Sequence, residues 1–117
     1  EAGIRPPNKD GIHVFVAQLG HIAKKQSLTL LNNLRSIGLN AVGSMGKDSI
    51  KSQMRVADRL QAKYALIMGQ IEVQEGTIIL RDMTKGSQEI LPYENIVNVV
   101  AQKIGVKKLD KRNLWEE

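Results

Sequence analysis

The residues of this chain best suited to chemistry are charged rather than nucleophilic. Lys47, Lys51, Arg55 and Arg59 recur at every fourth position. On a helix that spacing lines the cations along one face. Two readings fit such a stripe: a solvated helix face, or a surface that meets the phosphates of a nucleic acid. Asp58 lies beside it and offsets part of the charge. Further along, Glu72 falls in a loop after Gly69, and Arg81 ends an apolar stretch nine positions later. Arginine donates to acceptors on base edges and glutamate accepts from donors, so the pair suits base reading. A surface ion pair uses the same two residue types.

Other reactive ingredients are sparse. The chain has no Cys and two His, too few ligands for a structural zinc site or a disulfide scaffold. His13 and His21 lack a Cys or Asp partner at ligand spacing and read as structural histidines. Ser27, Ser36, Ser49 and Ser52 stand outside any G-x-S-x-G setting. Gly43–Gly46 precedes a helix, but Lys47 is followed by Asp48, so the phosphate-loop spacing is not met. A helix N-terminus there still suits an anion. The aromatic residues are Phe15, Tyr64, Tyr93 and Trp115, and the first two sit in apparent core strands, which argues against an aromatic stacking platform. No catalytic, metal or cofactor site is expected in this segment.

The elements that must position these residues follow from apolar periodicity. Residues 1–11 contain two tandem prolines and two glycines and read as a linker. A start without Met, in such a linker, suggests a domain cut from a longer protein. Ile12–Ala17 reads as a buried strand, 22–37 as a helix stopped by Gly38, and Leu39–Gly43 as a second strand. Asp48 or Ser49 suits the N-cap of a second helix whose apolar stripe is Ile50, Met54, Ala57 and Leu60. Tyr64–Met68 is a third buried strand. Strands alternating with helices imply parallel pairing with right-handed crossovers. The pattern then changes to a hairpin, Thr77–Arg81 with Gln88–Leu91, and a last helix from Glu94 to about Lys103. The expected fold is α/β, a five-stranded mixed sheet flanked by three helices in three layers, with a domain at 12–105 and a polar tail at 106–117.

The 117 residues suit one domain, and the formal net charge of +5 permits an anionic partner. That charge is uneven: residues 1–63 hold ten Lys/Arg against four Asp/Glu, and the rest hold seven against eight. No apolar run approaches the roughly 18 residues of a membrane span, and no signal peptide opens the chain.

Four stretches carry a family resemblance: VFVAQLG (14–20), LLNNLRSIGLNAV (30–42), SIKSQMRVADRLQAKYALIMG (49–69) and EVQEGTIILRDMTKGSQEILPYENIV (72–97). From Ile12 to Ile104 the chain resembles the C-terminal anticodon-binding domain of class IIa aminoacyl-tRNA synthetases, most of all the histidyl type. The 49–69 stretch is the most specific, matching the histidyl form S-[LI]-K-x-Q-x-x-x-A-[DN] and its continuation to the final glycine. The resemblance implies a five-stranded mixed sheet with three helices that holds a tRNA anticodon far from the catalytic domain. In threonyl relatives a glutamate after the third strand and an arginine nine residues later read anticodon bases, and Glu72 and Arg81 fall at those positions. Arg55 corresponds to a second arginine, on the second helix. Lys47 stands where an asparagine type is usual, which implies phosphate contact instead, and Lys51 joins it on the backbone-facing side. Gln70 replaces an acidic residue common after this glycine. Gln18 and Gly20 lie on the edge where such domains meet RNA.

The resemblance further implies a histidine-specific tRNA as partner, and a parent enzyme whose separate catalytic domain uses ATP and magnesium to attach histidine through its adenylate. It implies a parent that typically forms homodimers, a cytoplasmic location without membrane contact, and an isolated segment without catalysis. Two other classes fit the same residues: a synthetase-like module that senses tRNA to regulate another enzyme, and a protein-interaction domain that keeps the fold without binding RNA.

Overall fold

The first apolar run forms the centre of the sheet. In the computed structural model, which describes residues 11–44 and 49–105, strand β1 spans Val14–Gln18 and all five of its residues are buried. It begins two residues later than the sequence pattern suggests. β2 (Ala41–Gly43) and β3 (Tyr64–Met68) both pair with it in parallel. β4 (Thr77–Asp82) pairs antiparallel with β3, and β5 (Gln88–Pro92) antiparallel with β4. The sheet order is β2-β1-β3-β4-β5, so the expected five-stranded mixed sheet is present. The crossover helices supply the parallel half and the hairpin supplies the antiparallel half.

Helix α1 (His21–Ser36) buries Ala23, Leu30, Leu31 and Leu34 on one face of the sheet. There they meet Val14, Val16, Leu66, Met68, Ile78 and Leu80, together with Ile96 and Val100 of the last helix, α4 (Ile96–Ile104). Helix α2 (Ile50–Arg59) covers the other face, where Ala57 packs with Phe15, Ala17, Ala62 and Ile67. Strand residues alternate between the two cores because successive side chains point to opposite faces. The layers are therefore helix, sheet and helix.

Three expectations need correction. The sequence pattern gives three helices, and the structure has a fourth, α3 (Gln70–Glu75), so Glu72 lies on a helix rather than in a loop. It is six residues long, too short to show helical periodicity. Gly76 closes it at φ 71°, a left-handed conformation that a side chain disfavours. Leu60 does not join the apolar stripe of α2: it is the C-cap and is 41% exposed. The last helix starts at Ile96 rather than Glu94, because Tyr93–Asn95 form a 3-10 turn after Pro92, the final residue of β5. Of the two N-cap candidates for α2, Ser49 accepts from the Ser52 N–H at 3.2 Å. Asp48 and Lys47 lie outside the described residues, as do the expected tail and the expected linker apart from Gly11.

Candidate nucleic-acid interface

Helix α2 packs chiefly on β1 and β3, which leaves the same face of β4 and β5 without a helical cover. On β4, Thr77, Ile79 and Arg81 alternate onto this open face, while Ile78 and Leu80 are buried on the other. A concavity of about 520 Å3 results, lined by Leu19, Ile50, Met54, Ile67, Gly69, Gln70, Ile71, Glu72, Ile79, Arg81 and Gln88. Its floor is aliphatic and its polar groups come from α3 and the hairpin.

Glu72 and Arg81 both line this concavity, but they are not an ion pair. The ion pair found among the described residues is Lys103–Glu89 at 3.7 Å. Glu72 instead caps α3: its Oε1 accepts from the Gly69 N–H at 2.8 Å. Glu72 is the third residue of the helix, a position from which a carboxylate reaches back to the unsatisfied N–H at the helix start. A Cβ on residue 69 would lie 2.9 Å from that oxygen, so a side chain there would have to nudge the flexible carboxylate aside. The cap fixes one carboxylate oxygen, and the other has no hydrogen-bond partner among the described residues. Arg81 stands opposite Ala65 on one side and Gln88 on the other. One of its terminal nitrogens donates to Gln88 Oε1 at 3.1 Å. A guanidinium carries five N–H donors in a fork, so most of its capacity remains for a ligand. A fixed acceptor and a partly anchored donor over an apolar floor form an arrangement chemically suited to flat, polar-edged rings.

The basic stripe starts beside this concavity. Taking about 100° per residue from Ile50, the side chains of Met54, Lys51, Arg55 and Arg59 follow one another around α2 at about 40°, 100°, 140° and 180°. Ile50 and Met54 line the concavity, so Lys51 stands nearest its rim, while Arg55 and Arg59 lie opposite the buried Gln53 and Ala57 and face away from the sheet. All three cations are exposed.

The other candidates separate from this group. Gln18 is 2% exposed, and its backbone N–H and carbonyl are both held by the Gln53 side chain, each at 2.9 Å. It does not reach the open surface. Gly20 is exposed and precedes α1 at φ 103°. His13 Nδ1 accepts from the Asn40 N–H at 2.9 Å, the structural role expected of it. At the tip of the hairpin the Asp82 carboxylate accepts from the N–H groups of Thr84 and Lys85 at 2.9 and 3.0 Å. The Lys85 N–H is the main reason its pKa lies below the ordinary value, outweighing burial. Burial pushes the Tyr93 phenol up, and its hydroxyl donates to the Gln26 carbonyl at 3.3 Å. Among the described residues no group of three His, Cys, Asp or Glu side chains is placed to hold a metal. No helix among them is long and apolar enough to cross a membrane.

Two contributors escape a reading from residue types alone. Gln53 occupies a buried position of α2 and completes the hydrogen bonding of β1 past the end of short β2. Its signal is a polar residue on the apolar stripe, three after Ile50. The aliphatic floor is built from residues that read as ordinary core.

The family model of the anticodon binding domain matches residues 13–103. The histidine–tRNA ligase of Pelotomaculum thermopropionicum is 33% identical over 108 residues, covering 92% of this chain and 25% of the ligase. That of Syntrophotalea carbinolica is 37% identical over 103 residues, covering 88% of this chain and 24% of the ligase. The apo crystal structure of S. aureus histidyl-tRNA synthetase superposes with a TM-score of 0.73 at 30% identity, covering 83% of this chain and 28% of that one. The chain thus spans about a quarter of the length of the curated relatives it matches. With the family match running through every strand and helix of the described fold, the chain belongs to the anticodon-binding domain family.

Proposed function

We propose that this chain is the tRNA anticodon-binding domain of a histidine–tRNA ligase and that it reads bases of the histidine anticodon in the concavity over β3 and β4. The observation that carries this reading is the convergence of Glu72 and Arg81 on one apolar-floored concavity without pairing with each other. Lys51, nearest its rim, and Arg55, one turn further along α2, hold the flanking phosphates, and Lys47 supplies a further phosphate contact. Phosphate neutralisation supplies affinity and register, while the two base-facing groups supply discrimination. In this reading the remaining three quarters of the parent carry the catalytic domain, where ATP and magnesium serve histidyl-adenylate formation and transfer, and where the parent dimerises. The domain performs no chemical step, and it works in the cytoplasm.

The test is binding of the 117-residue chain to histidine tRNA and to a non-cognate tRNA across a salt series. Affinity falls with salt for both, with a shallower slope after Lys51→Ala or Arg55→Ala. The preference for the cognate tRNA persists in those variants and disappears in Arg81→Ala. Equal binding of all tRNAs, or none, defeats the proposal.

A further inference from the structure

A second depression, of about 340 Å3, adjoins the first and shares Leu19 and Gln70 with it. It lies over the start of α1, between residues 20–23 and the α3 side chains Val73 and Gln74. We infer that this depression is a second nucleobase subsite, which takes a different loop nucleotide from the one seated against Arg81; this rests on the RNA-binding reading above.

Its surface is apolar yet left open. Leu19 is 45% exposed and Ile22 63% exposed, and exposed aliphatics grouped around a hollow mark a contact surface. Its volume falls in the roughly 300–1,000 Å3 range of small-ligand pockets. Its polar groups are the amides of Gln70 and Gln74 and the ring of His21. Each of these both donates and accepts, as the mixed edges of a nucleobase require, and the His21 ring offers a flat stacking partner.

Gly20 adds access. A Cβ on it would meet nothing within 4 Å, so bare backbone faces open space there. No acidic side chain lines the depression, and the first turn of α1 holds none. Lys24 and Lys25, exposed on the next turn of α1, suit the adjoining phosphate. The continuity of the two hollows through Leu19 and Gln70 lets one strand cross the sheet edge from the first to the second. This continuity and the local excess of cations favour RNA over a protein partner.

The experiment uses the 117-residue chain and anticodon stem-loops of histidine tRNA in which each loop nucleotide in turn is abasic. Gln74→Ala and His21→Ala each weaken binding of the intact stem-loop about tenfold. Each also cancels the loss caused by one abasic position, different from the position cancelled by Arg81→Ala. If neither variant changes affinity at any position while Arg81→Ala still does, the second subsite is overturned and the function reading stands. The second subsite is equally overturned if the two variants instead loosen contact with the rest of the full-length parent and leave RNA affinity untouched. If Arg81→Ala is also silent, or the unchanged chain does not bind RNA, both readings fall.

Discussion

Gln53 offers the sharpest test of how the fold supports the interface. Its carboxamide accepts from the Gln18 N–H and donates to the Gln18 carbonyl, each at 2.9 Å, and Gln53 and Gln18 are each 2% exposed. Gln53→Leu keeps the volume and strands both backbone groups away from water. An unsatisfied buried polar group costs about 1–3 kcal/mol, so two of them, less the gain from an apolar side chain, cost about 3 kcal/mol. That is a large share of the roughly 5–15 kcal/mol of a typical domain. With a urea slope of about 1.5 kcal/mol/M, the unfolding midpoint drops by about 2 M, as read by circular dichroism. Gln53→Glu adds a signed control. Its carboxyl must keep a proton to donate to the Gln18 carbonyl, so the folded-state pKa is raised and the donating form is lost as pH rises. The Gln53→Glu variant is therefore less destabilised at pH 5 than at pH 8, relative to the unchanged chain. An unfolding free energy for Gln53→Leu within about 0.5 kcal/mol of the unchanged chain would refute the account of the clamp.

Gly20→Ala forces a side chain onto φ 103° and ψ 159°, which costs about 1–3 kcal/mol, visible as a lower thermal midpoint. Ser49→Ala removes the side-chain cap of α2 and costs about 1 kcal/mol, measured by urea unfolding. The lowered pKa of Asp82 means that its contribution is present above the ordinary carboxylate value of about 3.9 and is lost as pH falls through its folded value. The acid unfolding limb is correspondingly shallower in Asp82→Asn, and a carboxyl-carbon NMR titration places Asp82 below the ordinary carboxylate value.

Much of the layered α/β plan is legible in the sequence because its signals are long or chemically distinct. The runs YALIM and VFVA are too apolar and β-branched to be surface segments, and Ile50, Met54 and Ala57 mark the covered face of α2. Helix α3 escapes because one and a half turns cannot display a period, although Glu72 three residues after Gly69 and Gly76 beyond Glu75 are capping signals. The end of β5 and the start of α4 blur together because Pro92 serves a strand end and a helix approach equally well. Glu72 and Arg81 are legible as residues of a type and spacing, and from the family resemblance. Their shared concavity is not, since it arises from α2 stopping short of β4, a packing fact between distant segments. Gln18 stands out in the sequence by its place at a strand end, and the structure instead buries it beneath a clamp that no local pattern announces.

In the proposed function Arg81 reads a base rather than attracting RNA in general. The direct measurement is a cycle of four dissociation constants: the unchanged chain and Arg81→Ala, each with the histidine anticodon stem-loop and with a stem-loop altered at the base that Arg81 contacts. Loss of one specific base contact is worth about 1–3 kcal/mol, so the substitution weakens cognate binding by about 5- to 150-fold. Binding of the altered stem-loop changes little, and discrimination collapses. Glu72→Gln, which keeps an oxygen to accept from the Gly69 N–H, gives the same kind of result at its own base without uncapping α3. A uniform loss for both stem-loops would show that Arg81 acts only as a charge, and would contradict the account.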